Sequence, residues 1–149
     1  MTNGKKARLV PMPPGIHAGK LHKTARSYIG AARKLEEEPQ FLSPRFFSLC
    51  HGLELALKAF LAAKGDRMAV LMGLGHDLSE AYKRAQEEYG LEPSDPLLDT
   101  LVRLMSPEHK KQLFRYPGRH RQLNAFTCGF RCLGPERITH FQELRPAGE

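Results

Sequence analysis

The feature that most constrains the fold is residues 45–64, RFFSLCHGLELALKAFLAAK. Nearly every position in this stretch is apolar or small, and it contains no proline. Ser43-Pro44 in front of it favours a helix start, because a hydroxyl can cap the first turn and proline suits the first helical position. Gly65 behind it favours a stop. A helix that is apolar on nearly all sides is usually interior, so the sequence predicts the central helix of an all-α bundle.

This predicted helix has two apolar faces of different character. At about 100° per residue, the larger side chains fall on one broad face: Phe46, Leu49, Cys50, Leu53, Leu57, Phe60 and Leu61. The opposite face carries mostly small residues: Ser48, Gly52, Leu55, Ala56, Ala59, Ala62 and Ala63. Small residues allow a close approach, so we expect a second helix of the bundle, or a second copy of the chain, to pack against this face.

A polar stripe interrupts the apolar surface. His51, Glu54 and Lys58 stand at positions i, i+3 and i+7 and lie within roughly 60° of arc. One interpretation is a solvated stripe with a Glu54–Lys58 pair worth about a few tenths of a kcal/mol. The other is a polar seam at the edge of a buried helix, where an imidazole and an ion pair face a cleft. Periodicity alone leaves both open.

Composition bounds the class of protein. The chain has 149 residues, enough for one domain with a proper core, and a formal charge of +7. Residues 1–34 hold eight Lys/Arg and no acid, whereas residues 65–108 hold nine acids and four bases. Basic ends favour an anionic partner such as nucleic acid or nucleotide. Three cysteines without framework spacing indicate a reducing cytoplasm. We expect no signal peptide and no membrane span.

Further helices are predicted on both sides of the central one. The first covers residues 17–38. A third opens with Asp77 as N-cap and Glu80 placed three residues later, and closes at Gly90. A fourth begins at residues 94–96, and a short fifth begins at Ser106-Pro107 and runs to Phe114. The intervening residues 65–75 are predicted as a loop.

The domain is predicted to extend over residues 16–141. A disordered basic tail (1–15) precedes it and a frayed C-terminus (142–149) follows. The last 31 residues show no clean period, so no fold is predicted for them.

Two more groups of residues are candidate ligand contacts. His76 and Asp77 stand at a helix start, where free N–H groups favour an anion, although simple capping by Asp77 explains the pair as well. In that second interpretation His76 orients the loop against His51 or Glu54. The basic loop after the last helix is the other group, with Arg115, Tyr116 and Arg119 as phosphate and base contacts.

A zinc site is one interpretation of the C-terminal segment, where His120 and His140 flank Cys128 and Cys132. Such sites more often show a tighter cysteine pair followed by a second matching pair. We therefore predict neither a metal nor a cofactor.

Two motifs together resemble a known family. His51-x-x-Glu54-Leu55-x-Leu57-Lys58-Ala59 followed by Gly75-His76-Asp77-Leu78 looks like the HEPN (higher eukaryotes and prokaryotes nucleotide-binding) domains. Phe114-Arg115-Tyr116-Pro117 is similar to an "RYP" element of bacterial members. The resemblance covers roughly residues 17–120 and implies an antiparallel up-and-down bundle of four to five helices. It also implies a homodimer and a role near RNA or nucleotides, in some members as partners of nucleotidyltransferases in toxin–antitoxin or phage-defence systems.

Some HEPN domains are metal-independent ribonucleases that use an Arg-x4–6-His motif near the dimer seam. Histidine can transfer the proton and arginine can stabilise the phosphorane charge. Arg45/His51 and Arg115/His120 match this spacing. The first pair is separated by roughly 240° of helix, so its members point apart, and the second spans Tyr-Pro-Gly in a loop.

These observations favour a non-enzymatic HEPN-like module that binds nucleotide, RNA or a nucleotidyltransferase. A ribonuclease toxin and a purely structural dimerisation domain are the alternatives.

Overall fold

The computed structural model describes residues 14–36, 38–92 and 96–115. Within these ranges the secondary structure is helical throughout and contains no strand. The helices in chain order are α1 (Pro14–Lys34), α2 (Leu42–Ala63), α3 (Met68–Gly73), α4 (Leu78–Tyr89) and α5 (Pro96–Lys110). Short 3₁₀ turns occupy Pro39–Phe41 and Leu113–Arg115. The prediction of an all-α bundle is confirmed.

Helix α2 is the centre of this bundle. Its broad face is buried as predicted, with Leu57 and Leu61 fully inaccessible to solvent. Only Phe60, at one edge of this face, stays partly exposed. Each fully buried leucine or phenylalanine stabilises the fold by about 1.5–3 kcal/mol relative to the exposed side chain. The core therefore forms around α2, and α1, α4 and α5 all pack on it.

The small-residue face of α2 receives α1. A Cβ atom added to Gly52 would lie 2.8 Å from Ile29 Cγ1 and 3.2 Å from the carbonyl oxygen of Ala25. Real Cβ atoms essentially never come so close to a neighbour, so the two helices cross at a distance that only glycine permits here. Leu55 and Ala63, also predicted on this face, are not buried.

The start of α2 differs from the prediction. Phe41 is the N-cap residue and makes no side-chain capping bond. Ser43 does not cap the helix, because its hydroxyl donates to the carbonyl oxygen of Phe114 at 3.0 Å. The serine thus ties the start of α2 to the 3₁₀ turn after α5. At the other end Gly65 follows the last turn with φ +113°, a conformation that favours glycine, as predicted.

Helix α4 begins and ends as its sequence predicts. The Asp77 carboxylate accepts the backbone N–H of Glu80 at 3.1 Å. Gly90 closes the helix in the left-handed conformation, with φ 63°. The predicted loop before α4 instead contains α3, which buries Leu71. A helix of six residues is too short to show a period in the sequence.

The predicted break at Ser106-Pro107 is wrong. Helix α5 is continuous through Pro107, so there is no separate fifth helix at that point. Ser106 does not start a helix, because its hydroxyl accepts the N–H of Ser79 at 3.0 Å and lies 3.3 Å from Asp77 Oδ1. The tertiary contacts of Ser106 therefore outweigh the local effect of the proline.

Helix α1 also has different bounds. It begins at Pro14, inside the predicted basic tail, and ends at Lys34 rather than residue 38. The acidic residues that follow thus stay outside the helix, whose C-terminal end disfavours negative charge. The remainder of the tail and the predicted frayed end (142–149) lie outside the described residues.

We expected no segment that could span a membrane, but α2 is long and apolar enough by length and hydropathy alone. Of its most apolar window, 61% is buried inside the fold, and the core helix of a bundle passes the same test. This single helix is weak evidence for a membrane span.

Gly52→Ala should lower the free energy of unfolding by about 1–3 kcal/mol, because the new methyl group must push α1 away. The control is Gly30→Ala on α1, where a Cβ meets nothing within 4 Å. That change should stabilise the protein by up to about 1 kcal/mol, since alanine is the better helix former. Urea unfolding measures the free energy of unfolding of both variants. If the two substitutions changed it equally, the close crossing of α1 and α2 would be contradicted.

Candidate functional site

A buried carboxylate lies at the centre of the polar side chains. The Glu54 residue is 3% exposed. Its Oε1 accepts a hydrogen bond from Lys58 Nζ at 2.7 Å. Its Oε2 lies 2.7 Å from His109 Nε2 and 3.0 Å from His76 Nδ1. We call these residues, together with His51, the Glu54 cluster.

Three separate elements bring this cluster together. The helical repeat of α2 places His51, Glu54 and Lys58 on one side, as the sequence predicted. His76 comes from the turn before α4, and His109 from the last turn of α5. Since Glu54 is buried, the stripe is a polar seam of the core and not a solvated surface.

The turn before α4 is fixed from two sides. Gly75 adopts φ +57°, which favours glycine, and its carbonyl oxygen accepts Lys58 Nζ at 2.6 Å. The same lysine therefore joins the Glu54 carboxylate to the backbone of this turn. His76 follows directly and is thereby presented to Glu54.

His51 is placed by aromatic packing. Its ring stacks on Phe47, with centroids 5.7 Å apart, and meets Tyr28 of α1 edge-on at 4.6 Å. Its Nδ1 lies 3.6 Å from Glu54 Oε2, too far for a hydrogen bond. This buried nitrogen has no hydrogen-bond partner among the described residues. A buried polar atom without a partner is costly and requires an explanation.

The cluster keeps Glu54 ionised. Burial by itself would raise the pKa of this carboxyl group. The hydrogen bonds from His109, His76 and Lys58, with the nearby His51 imidazole, outweigh burial and hold the pKa well below its ordinary value. The site thus contains an ionised carboxylate surrounded by one ammonium group and three imidazoles.

Asp77 forms a second polar contact between α4 and α5. Besides capping α4, it accepts Lys110 Nζ on Oδ2 at 2.6 Å. Burial opposes ionisation, but the hydrogen bonds from Lys110 and from the Glu80 N–H lower the pKa of Asp77. Of the two interpretations of this residue, the structure shows the capping one, and its role toward a ligand stays a prediction.

The predicted site residue Arg45 is not in the cluster. Arg45 donates to Glu36 Oε1 at 2.7 Å, so it and His51 have different partners, in keeping with the expectation that they point apart. The Arg115 backbone belongs to the last 3₁₀ turn. Its side chain lies outside the described residues, as do Tyr116, Arg119, His120, Cys128, Cys132 and His140.

His109, the nearest to Glu54 of the described histidines, was not predicted from the sequence. A signal for it was present, because His109 stands four and seven residues after Met105 and Val102, which are both buried on α5. The predicted break at Pro107 hid that spacing. A histidine that continues the apolar face of a helix is stable in the core only if a polar group there forms a hydrogen bond with it.

Comparisons with protein-family models, with curated proteins and with solved structures found no match for this chain. The likeness to HEPN domains therefore depends on the motif residues alone and stays a prediction.

Glu54→Gln should lower the free energy of unfolding at about pH 7 by roughly 3–5 kcal/mol, the usual cost of breaking a buried ion pair. The folded-state pKa of Glu54 is depressed. Its contribution is therefore complete above the unfolded value of about 4.3 and decreases as the pH falls below it. The difference between wild type and variant should accordingly be smaller at about pH 3.

Urea unfolding at both pH values measures this change. Glu87→Gln, at an exposed position on α4, is the control and should change stability by less than about 0.5 kcal/mol at either pH. A Glu54→Gln effect that stays constant down to pH 3 would show that the ionised carboxylate does not stabilise the fold.

Proposed function

We propose that this chain is a HEPN-like helical module that binds RNA or a nucleotide through its phosphates. The two motifs that carry the resemblance lie in contact: Glu54 of the first meets His76 of the second at 3.0 Å, and Lys58 bonds the Gly75 carbonyl. Residues that are separate in sequence thus act as one unit, which supports the HEPN-like interpretation. The up-and-down arrangement of the helices is part of this proposal.

The exposed basic surface of α1 is the observation on which binding depends. Helix α1 contains five Lys/Arg and no acidic residue in 21 positions. Lys20, Lys23, Arg26 and Lys34 are exposed. The ion pairs formed by the described residues include none of them. Unpaired cations on one helix attract phosphates, which dominate the affinity of proteins for nucleic acids.

Helix α1 also connects the basic surface with the Glu54 cluster. Tyr28 lies on α1 and packs edge-on against His51. A phosphate chain bound along α1 would therefore pass close to a half-buried histidine and an aromatic ring, groups that favour nucleobases or sugar hydroxyls.

The same resemblance supports three further parts of the proposal: a homodimer, a cytoplasmic location and a nucleotidyltransferase as protein partner. Cleavage of RNA is less well supported, because Arg45 is engaged with Glu36 and does not accompany His51. We therefore propose binding without cleavage. The ribonuclease and the purely structural dimer become outcomes of the experiment below.

Lys20→Glu/Lys23→Glu should weaken binding of single-stranded RNA and flatten its salt dependence. Each lost phosphate contact reduces the slope of log K against log salt by about 0.7. Fluorescence anisotropy over a series of salt concentrations measures this slope. The control Arg67→Glu/Lys83→Glu changes the charge equally at exposed positions away from α1 and should leave the slope near wild type.

Equal loss in both double variants would mean that net charge, and not α1, attracts the RNA. Absence of salt-dependent binding in wild type would leave the structural dimer. RNA recovered from the same mixtures in EDTA must stay intact, since cleavage that disappears in His51→Phe would establish the ribonuclease instead.

A further inference from the structure

Two buried carboxylates of this fold are neutralised in different ways. Asp66 receives both ends of the Arg84 guanidinium, at 2.7 and 2.8 Å, and the Tyr89 hydroxyl at 2.6 Å. This is the usual bidentate arrangement for a structural ion pair. Glu54 has one lysine and, around its other oxygen, the nitrogens of three histidines. A structural ion pair does not require so many imidazoles.

The spacing of these atoms fits a metal ion. One ligand atom each of His51, Glu54 and His109 lies within 4.8 Å of the others. A tetrahedral zinc ion with bonds of about 2.0–2.1 Å holds its ligands about 3.3 Å apart. The distances from Glu54 Oε2 to His109 Nε2 (2.7 Å) and to His51 Nδ1 (3.6 Å) lie on either side of that value. Both distances lie within about 0.6 Å of the tetrahedral value, and the ligand atoms of the two histidines are no more than 4.8 Å apart.

His51 supplies an independent argument. Its Nδ1 is buried and has no hydrogen-bond partner among the described residues, although it faces the carboxylate at 3.6 Å. Phe47 and Tyr28 fix the ring in this position. A metal ion between Nδ1 and Oε2 would give this nitrogen a partner. The packing of the ring holds Nδ1 in place even when no metal ion is bound.

We propose that His51, Glu54 and His109 form a binding site for a divalent transition-metal ion, with zinc as the best fit. Two imidazoles and one carboxylate are a ligand set that zinc accepts when a fourth position is supplied by another group. His76, whose Nδ1 lies 3.0 Å from Glu54 Oε2, could supply that position after a movement of its half-buried side chain. This replaces the prediction, made from sequence, that the chain holds no metal.

Glu54 would bind the ion through Oε2 alone. Lys58 occupies Oε1 at 2.7 Å and is itself held by the Gly75 carbonyl, so the carboxylate is oriented from outside the site. The ion takes the place of the hydrogen that His109 Nε2 now shares with Oε2. A neutral His109 keeps its single proton by carrying it on Nδ1, and no other reactant is needed.

The metal would join α2 to α5, whose ligands are 55 residues apart in the chain. Its ligands do not include the cations of α1, so the site does not depend on the proposed RNA binding. Either proposal can fail while the other holds.

The test uses the full chain, freed of metal with a chelator and titrated with Zn²⁺ by calorimetry. We expect one equivalent bound and a higher melting temperature, because an ion that binds only the folded state stabilises it. Co²⁺ in place of Zn²⁺ should give the visible absorption of a tetrahedral site. Absence of Zn²⁺ binding in wild type would overturn the proposal.

Two variants remove ligands while keeping the packing. His51→Phe retains the ring between Phe47 and Tyr28 and removes its nitrogens, and His109→Gln keeps an amide N–H for Glu54. Loss of a residue that only supports a metal ligand typically reduces metal affinity by roughly 10- to 100-fold. Because each of these variants removes a ligand itself, each should reduce Zn²⁺ affinity by more than that. Circular dichroism verifies folding, and the two variants are independent in case one does not fold.

Two controls assign the site. His22→Gln, on α1, removes a buried ring nitrogen that likewise has no hydrogen-bond partner in the described part of the chain, and this variant should bind Zn²⁺ like wild type. Cys128→Ser/Cys132→Ser should also leave the affinity unchanged. Wild-type affinity in both His51→Phe and His109→Gln, or loss only in the cysteine variant, would overturn the assignment to the Glu54 cluster.

Discussion

The rest of the fold depends on the burial of one ionised carboxylate in the central helix. A charge taken out of water costs several kcal/mol unless partners surround it. Glu54 cannot obtain enough of them from α2 alone, because that helix supplies His51 and Lys58 and the other residues on the same side are apolar ones such as Cys50, Leu57 and Leu61. The turn before α4 and the end of α5 must therefore pack beside Glu54 and supply the remaining partners. This requirement determines where α5 docks more strictly than apolar packing could, since a leucine face tolerates sliding and a hydrogen bond of 2.7 Å does not.

Helix α1 satisfies two different requirements on its two sides. The inner side fits against Gly52 so closely that a methyl group has no room. The outer side carries cations that no described acid neutralises. Because the inner side fixes the position of the whole helix, the cations stand in a defined row, and Tyr28 reaches His51 from the same helix. An anionic ligand would thus meet cations carried by a helix whose backbone is fixed by packing.

The sequence predicted those parts of the fold that local chemistry decides. The apolar period of α2, the Asp77 cap and the Gly90 stop each depend on neighbouring residues only, and the structure agrees with them. Pro107 misled the prediction, because the rule that proline breaks a helix ignores the contacts of Ser106 and His109 with other elements. Helix α3 was missed since so short a segment has no period.

The candidate site was predicted in part for the same reason. The α2 stripe and the residue before Asp77 could be found by spacing and by motif. That the nitrogens of three histidines surround one oxygen of Glu54 could not be predicted, since only the docking of α5 brings His109 there.

The distance in sequence between Glu54 and His109 also affects the order of folding. A chain that has left the ribosome only as far as α2 already contains the carboxylate, but the partner 55 residues later has not yet been made. Until α5 arrives, Glu54 must stay hydrated or take up a proton, so α1 and α2 alone cannot exclude water completely from the interior between them. Docking of α5 is then the step that makes the unit cooperative, and a chain truncated before residue 109 would be a substrate for proteases rather than a smaller domain.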